Sequence, residues 1–288
     1  MELRVLRYFL AVAQEENITR AATLLNVTQP TLSRQLIQLE EELGVKLFRR
    51  SQYRIILTED GMLLRRRAQE IVALADKTEQ EFSNRDTELS GEIAIGCGET
   101  RSMTFLSRKI ASFRQVHPQV RFRIYSANAD DVKERLESGL LDLGLLMEPV
   151  DISRYSFIRM PEKERWGALV PKTSPLAERE AVSPQDLLGV PLLFSGREKM
   201  IHELAGWFGD VYDQIEVAGT YNLILNAANM VENGVGAALC FSLGDLSERL
   251  RFVPLSPLLE TGSVLAWKKD QVFSDAAAQF HQHIKHTE

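Results

Sequence analysis

Apolar residues recur at helical spacing along the first part of the chain, and their phase predicts three short helices before Gly44. Leu3, Leu6, Leu10 and Ala13 share a face, which predicts a helix from Glu2 to about Gln14. A second begins near Thr19, whose hydroxyl suits an N-cap, and turns Ala21, Ala22 and Leu25 inward. Asn26, Val27 and Thr28 break it. Thr28 then caps a third helix that holds Pro30 in its first turn, where a missing N–H costs nothing. Leu32, Leu36, Leu39 and Leu43 form its apolar stripe, while Pro30, Arg34, Ile37 and Gln38 point the other way between Thr31 and Ser33. So short a turn between the second and third helices predicts a helix-turn-helix core.

After Gly44 the pattern changes. VKLFRRSQYRIILT alternates enough to predict two short strands around Ser51–Gln52, a wing carrying Arg49, Arg50 and Arg54 beside the exposed face of the third helix. From Thr58 a long helical pattern follows, without Pro and without Gly after Gly61. Leu64, Ala68, Ile71, Ala75, Thr78 and Phe82 are spaced 4, 3, 4, 3, 4, an a/d seam that faces either a second helix, most simply its own copy, or the neighbouring domain. From Gly91 onward, strand-like apolar runs alternate with amphipathic stretches, as in a parallel α/β fold. The expected organisation is a winged helix-turn-helix at 1–57, a dimerisation helix at 58–89 and an α/β domain at 90–288.

Charge sharpens this picture. The net charge is −6, too acidic for a protein that coats nucleic acid, but the balance is uneven. Residues 1–57 hold eight Lys/Arg against six Asp/Glu, and Gly44–Leu57 holds four positive charges and no negative one. An acidic body with a basic edge predicts a polyanion bound at one end. The N-terminus MELRVLRYFLAVAQEE carries too many charges for a signal peptide or a membrane span. Two cysteines, Cys97 and Cys240, make no disulfide framework, and the expected location is the cytoplasm.

The run ITRAATLLNVTQPTLSRQLIQLEEELGVKLFRR, followed by LTEDG, resembles the DNA-binding domain of LysR-type transcriptional regulators. The likeness rests on Ala21–Ala22, Gln29–Pro30, Ser33–Arg34, Leu39–Glu40, Leu43–Gly44, Leu47–Phe48, Arg50, Leu57–Thr58 and Gly61 in order. Asn17–Ile18 and Tyr53 depart from the usual pattern, the latter at a wing place that is often basic. GEIAIGCGET, LESGLLDLGLL, WGALVPKTSPLAEREAVSPQDLLGVPLLF and MVENGVGAAL continue the likeness into an effector domain. The resemblance implies two α/β lobes like those of periplasmic binding proteins, joined by crossings near Pro161 and Ala266. Lobe I would be 90–161 with 267–288, and lobe II 162–266, with a last helix Ser274–Lys285 returning to lobe I. It also implies tetramers.

Two sites are expected. At the first, Gln29 suits adenine, Arg34 guanine and Ser33 either, Pro30 and Thr31 offer apolar contact to thymine, and Gln38 lies on the same side. Arg50 and Arg54 suit phosphates. At the second, IAIGCGETRS is a strand entering a Gly turn that opens a helix, a geometry that attracts a carboxylate. The resemblance places Gly98, Thr100, Arg101, Ser126, Asn128, Glu148, Ser195 and Asn222 around this effector, within a lining that also takes in Phe194–Arg197 and Cys240–Phe241. Glu99 and Glu148 would suit an amine, or a ligand bearing both charges. No metal or cofactor is expected: His281, His283 and His286 lack a fourth ligand, and the two thiols read as buried strand ends.

Three functions compete. A ligand-controlled regulator of double-stranded DNA accounts for both halves of the chain. An α/β enzyme with an accessory domain lacks a nucleophile elbow, a zinc-ligand spacing and a phosphate loop. A solute-binding protein accounts for 91–288 but not for the N-terminal helices.

Overall fold

The computed structural model describes residues 1–50, 55–83, 88–244 and 246–286, the side chains of Arg50, residues 80–83 and His286 excepted. The chain forms two compact units, Met1–Arg85 and Asp86–Glu288.

The first unit contains α1 (Leu3–Glu15), α2 (Ile18–Leu24), α3 (Gln29–Leu43), a two-stranded wing of β1 (Phe48–Arg50) and β2 (Ile55–Leu57), and α4 (Glu59–Ser83). The buried side of α1 is Val5, Leu6, Phe9 and Val12, rotated from the expected Leu3, Leu10 and Ala13, which are half-buried flanks. Phe9 sets that rotation, because its ring is enclosed and packs on Phe48 at 5.2 Å. Asn17, not Thr19, caps α2: its side chain accepts from Arg20 N at 3.0 Å, which starts the helix early enough for Ile18 to reach the core. Thr28 caps α3, accepting from Thr31 N. Leu32, Leu36 and Leu39 are buried as the stripe predicts, whereas Leu43 is 40% exposed, beyond the core where Gly44 ends the helix in a left-handed turn.

Glu40 takes the inward place on the last turns of α3. Its carboxylate accepts from Leu47 N (2.8 Å), Phe48 N (3.3 Å) and Lys46 Nζ (2.6 Å), so one acid ties the helix to the root of the wing. Burial alone would raise its pKa, but the bonds from Lys46 and the two backbone amides outweigh that and hold the carboxyl below the ordinary glutamate range. Gly61 closes the same region, since a Cβ there would stand 2.1 Å from the Leu47 carbonyl oxygen.

The helix expected to face its own copy is already partly used inside the chain. Ala68 is fully buried and Leu64 half-buried against the helix-turn-helix core, beside Val72, and Asp76 holds Arg7 at 2.5 Å. The stripe is as narrow as its spacing implies, but α1 covers it without the entropy cost of association. Ala68 thus faces the core of its own unit, and Leu64 lies half-buried at the edge of that core. Ala75 is half-buried, Ile71 is exposed, and the Phe82 side chain lies outside the described residues.

The second unit has two lobes, each a sheet with helices. Its chain order begins β3 (Gly91–Cys97), α5 (Ser102–Val116), β4 (Val120–Ser126), α6 (Ala129–Glu137), β5 (Leu143–Met147) and β6 (Tyr155–Arg159). It continues with β7 (Glu164–Pro171), β8 (Leu192–Ser195), α7 (Glu198–Phe208), β9 (Val217–Tyr221), α8 (Ile224–Glu232) and β10 (Ala237–Phe241). β11 (Leu250–Pro254), β12 (Glu260–Thr261), β13 (Ser263–Lys268) and α9 (Asp275–His286) complete it. Lobe I orders its strands β4-β3-β5-β13-β6 and lobe II β11-β7-β10-β8-β9. α9 packs on lobe I, where Phe280 meets Phe113 (5.2 Å) and Phe122 (4.8 Å) edge-on. The chain leaves lobe I between Arg159 and Glu164 and returns at Gly262. The expected second crossing at Ala266 is corrected: Ala266 pairs with Gly144 and Phe157 inside the lobe I sheet. SVLAWK is one strand, and the chain turns where a Cβ would meet Glu148 Oε2 at 2.2 Å.

Glu40→Gln is expected to destabilise the first unit by about 1–3 kcal/mol at neutral pH, the range for charge-assisted hydrogen bonds. Because the folded carboxyl is depressed, its contribution is present above the ordinary glutamate range and is lost as pH falls through the folded value. Urea unfolding of both proteins at neutral and acid pH should show a gap that closes on acidification.

Candidate functional site

On α3 the polar side faces outward. Gln29, Pro30, Thr31, Arg34 and Gln38 are exposed and Ser33 is half-exposed, backed by Leu32, Leu36 and Leu39. Gln29 Nε2 donates to Ser33 Oγ at 3.4 Å, Thr31 shares a hydroxyl bond with Thr28 at 2.8 Å, and Gln38 leans to Glu42 at 3.3 Å. Arg34 has no hydrogen bond or ion pair among the described residues. Its guanidinium is an always-charged fork with five donors presented to solvent from a rigid helix. The wing pairs Phe48 with Leu57, Arg49 with Ile56 and Arg50 with Ile55, and Arg49 is exposed. Arg54, Tyr53 and the Arg50 side chain fall outside the described residues.

In the second unit a cleft of about 520 Å³ opens between the lobes. Of the residues expected there, Gly98, Asn128, Ser195 and Asn222 line it, and Thr100, Arg101, Ser126 and Glu148 do not. Asn128 spends its side chain locally, capping α6 through Asp130 N (2.9 Å) and Asp131 N (3.0 Å). Ser126 is exposed at the end of β4, and Glu148 pairs with Arg159 at 2.8 Å beside the Gly262 crossing.

The expected anion cradle at Thr100 is occupied by the chain itself. Glu164, fully buried at the start of β7, accepts from Thr100 Oγ1, from Ser102 N (2.9 Å), from Ser102 Oγ (2.9 Å) and from Arg101 N (3.3 Å). A helix start does attract a carboxylate, as the Gly turn implies, but the carboxylate comes from 62 residues downstream of Ser102. Ser102 Oγ also meets Ser263 Oγ at 2.8 Å, so both crossings touch this helix end.

Two charged residues from the expected lining, Glu99 and Arg197, bridge the lobes, a role the sequence reading did not assign to them. Glu99 accepts from Ile224 N at the start of α8 in the opposite lobe. Arg197, at the root of α7, reaches the carbonyls of Met147 (3.5 Å) and Pro149 (3.3 Å) in lobe I and stands 3.8 Å from Asp130. Burial lowers the Arg197 pKa, with Asp130 and Glu203 opposing. The family resemblance placed Arg197 in the lining, but nothing local in the sequence marked it as a bridge to lobe I. Deeper in the cleft Trp166 packs edge-on against Phe241 at 4.5 Å and donates to Thr261 at 2.8 Å. Burial pushes the Cys240 thiol up to about 12 and the Tyr221 hydroxyl well above its ordinary value, so both stay neutral. Cys97 and Cys240 are both buried and free. His281 packs on Trp267, and His283 hydrogen-bonds Ser112 at 2.7 Å.

Known proteins share this arrangement. A sequence model of the bacterial regulatory helix-turn-helix proteins of the lysR family matches residues 3–62, and one of the LysR substrate binding domain matches residues 86–288. The HTH-type transcriptional regulator BudR of Raoultella terrigena is 31% identical, over 93% of this chain and 95% of that protein. The Hca operon transcriptional activator HcaR of Escherichia coli (strain K12) is 28% identical, over 94% and 93%. The crystal structure of CbnR, a LysR family transcriptional regulator, shares the fold with a TM-score of 0.77 and 21% identity, covering 99% of this chain and 98% of that one. The chain therefore belongs to the LysR family: it is a LysR-type DNA-binding transcriptional regulator with a substrate-binding effector domain, and not an enzyme.

Proposed function

We propose that the outward side of α3 reads base edges in the major groove through Gln29, Pro30, Thr31, Ser33, Arg34 and Gln38. The observation that carries this reading is Arg34, exposed on a helix pinned from behind by three buried leucines. Arg49, Arg50 and Arg54 on the wing meet phosphates and set register rather than sequence. Two copies associate through the apolar residues that α4 leaves uncovered, Leu63, Ile71 and Leu74, which presents two α3 helices to related half-sites. A small molecule bound between the lobes shifts the balance of two arrangements by binding one of them better. No described helix is long and apolar enough to cross a membrane, and the cytoplasm, where the operator lies, is the site of action.

Titration of the full-length protein with its own upstream DNA tests the reading face. Arg34→Ala is expected to cost about 1–3 kcal/mol per half-site and to relax preference at one base position. A loss of equal size for every sequence would reassign Arg34 to the backbone. Affinity for wild type should fall with a log–log salt slope of roughly −0.9 per neutralised phosphate, and a flat response would remove the wing from the interface. For the dimer, Ile71→Lys with Leu74→Lys is expected to shift sedimentation from dimer toward monomer. An unchanged dimer would place the seam elsewhere.

A further inference from the structure

The outward side of α3 contains one residue that neither the packing nor the charge of the helix accounts for. Ile37 is 50% exposed in the middle of α3 and takes no part in the core built on Leu32, Leu36 and Leu39. Leu43, also exposed, lies in the last turn, where the helix has left that core behind. Single exposed apolar side chains are ordinary on protein surfaces, and it is position that sets Ile37 apart. At 3.6 residues per turn, Pro30, Arg34, Ile37 and Glu41 follow one line along the helix, with Ser33 and Gln38 on either side. Ile37 therefore stands at the centre of the side assigned to DNA, just under one turn beyond Arg34.

Branching at Cβ makes isoleucine a weaker helix former than leucine, glutamine or lysine, and at this exposed place no packing within the unit offsets that cost. The same branching leaves one strongly preferred χ1 rotamer in a helix. The side chain is thus a fixed apolar knob that loses little entropy on contact. Phosphates and the hydrogen-bonding edges of bases offer such a knob no partner. Among the four bases, the C5-methyl of thymine is the apolar group that the major groove presents. Arg34 draws α3 toward a polyanion, whereas Glu41, exposed and paired with no cation among the described residues, repels phosphate one turn beyond Ile37. Close approach of α3 to DNA therefore ends near Ile37 and Gln38.

Resting on the reading of α3 given above, we propose that Ile37 is a specificity-determining residue that packs on the C5-methyl of a thymine in each half-site. Three residues of helix carry it about 4.5 Å beyond Arg34, against about 3.4 Å per base step. The thymine therefore lies within about two base pairs of the guanine that Arg34 reads.

Anisotropy titration of the full-length protein with its own upstream DNA tests this, using duplexes in which each thymine of the footprint is replaced in turn by deoxyuridine. Uracil pairs as thymine does and lacks only the methyl. At one thymine per half-site it should weaken wild-type binding about 3- to 4-fold, the worth of one buried methyl group. Ile37→Ala should bind the thymine and uracil duplexes equally while keeping the guanine preference that Arg34→Ala relaxes. Ile37→Val, which retains the branched Cβ, should keep part of the penalty. Both variants should melt with wild type, since the side chain is exposed. A uracil penalty at no thymine near that guanine, or one undiminished in Ile37→Ala, overturns the assignment and leaves Arg34 and the reading face in place. Wild-type binding indifferent to every base substitution overturns the reading of α3 itself, and this assignment with it.

Discussion

A helix that begins inside a protein carries amide hydrogens that need an acceptor, each costing about 1–3 kcal/mol if left bare. In the effector unit that requirement is met across long stretches of chain. Glu164, the first residue of a strand that has just crossed from one lobe to the other, satisfies the start of α5 through four donors on three residues. Ser263, just past the return crossing, joins the same cluster through Ser102. A change in the angle between the lobes must therefore strain these bonds or move with them, which ties the strand crossings to the turn that borders the cleft.

The DNA-reading unit solves a related problem with Glu40. The segment between α3 and the wing has amides facing inward, and one buried carboxylate accepts two of them while Lys46 compensates its charge. Removing a single partner of such a group is costly because it leaves the others unsatisfied. The same side of α3 holds the leucines that fix the helix, so the outward residues are presented by a rigid element rather than by a loop.

Electrostatics divides the cleft into two parts. Its deep wall is neutral, with Cys240 and Tyr221 held protonated by burial and Trp166 and Phe241 packed together. Its charged groups bridge the lobes, with Glu99 reaching from lobe I to α8 and Arg197 reaching back to lobe I. A ligand that engages either bridge acts on lobe geometry directly, without a relay through the core.

Local pattern determined much of this protein. The leucine spacing on α3, the Thr28 cap with Pro30 behind it, and the basic run after Gly44 each act within a few residues, so sequence alone placed the helix-turn-helix, the wing and their outward face. The alternation beyond Gly91 likewise determined an α/β unit, whereas its division into two lobes was what the family resemblance implied. Contacts between distant residues had to come from the tertiary structure. A 4, 3, 4 stripe on α4 states that a partner exists, but only the packed unit shows that α1 takes Leu64 and Ala68. A Gly turn before α5 states that a carboxylate belongs there, but no local signal says that Glu164 will supply it. Nor could spacing reveal that Arg197 is buried between Asp130 and the carbonyls of Met147 and Pro149, because desolvation depends on what the fold places around a group and not on its neighbours in sequence.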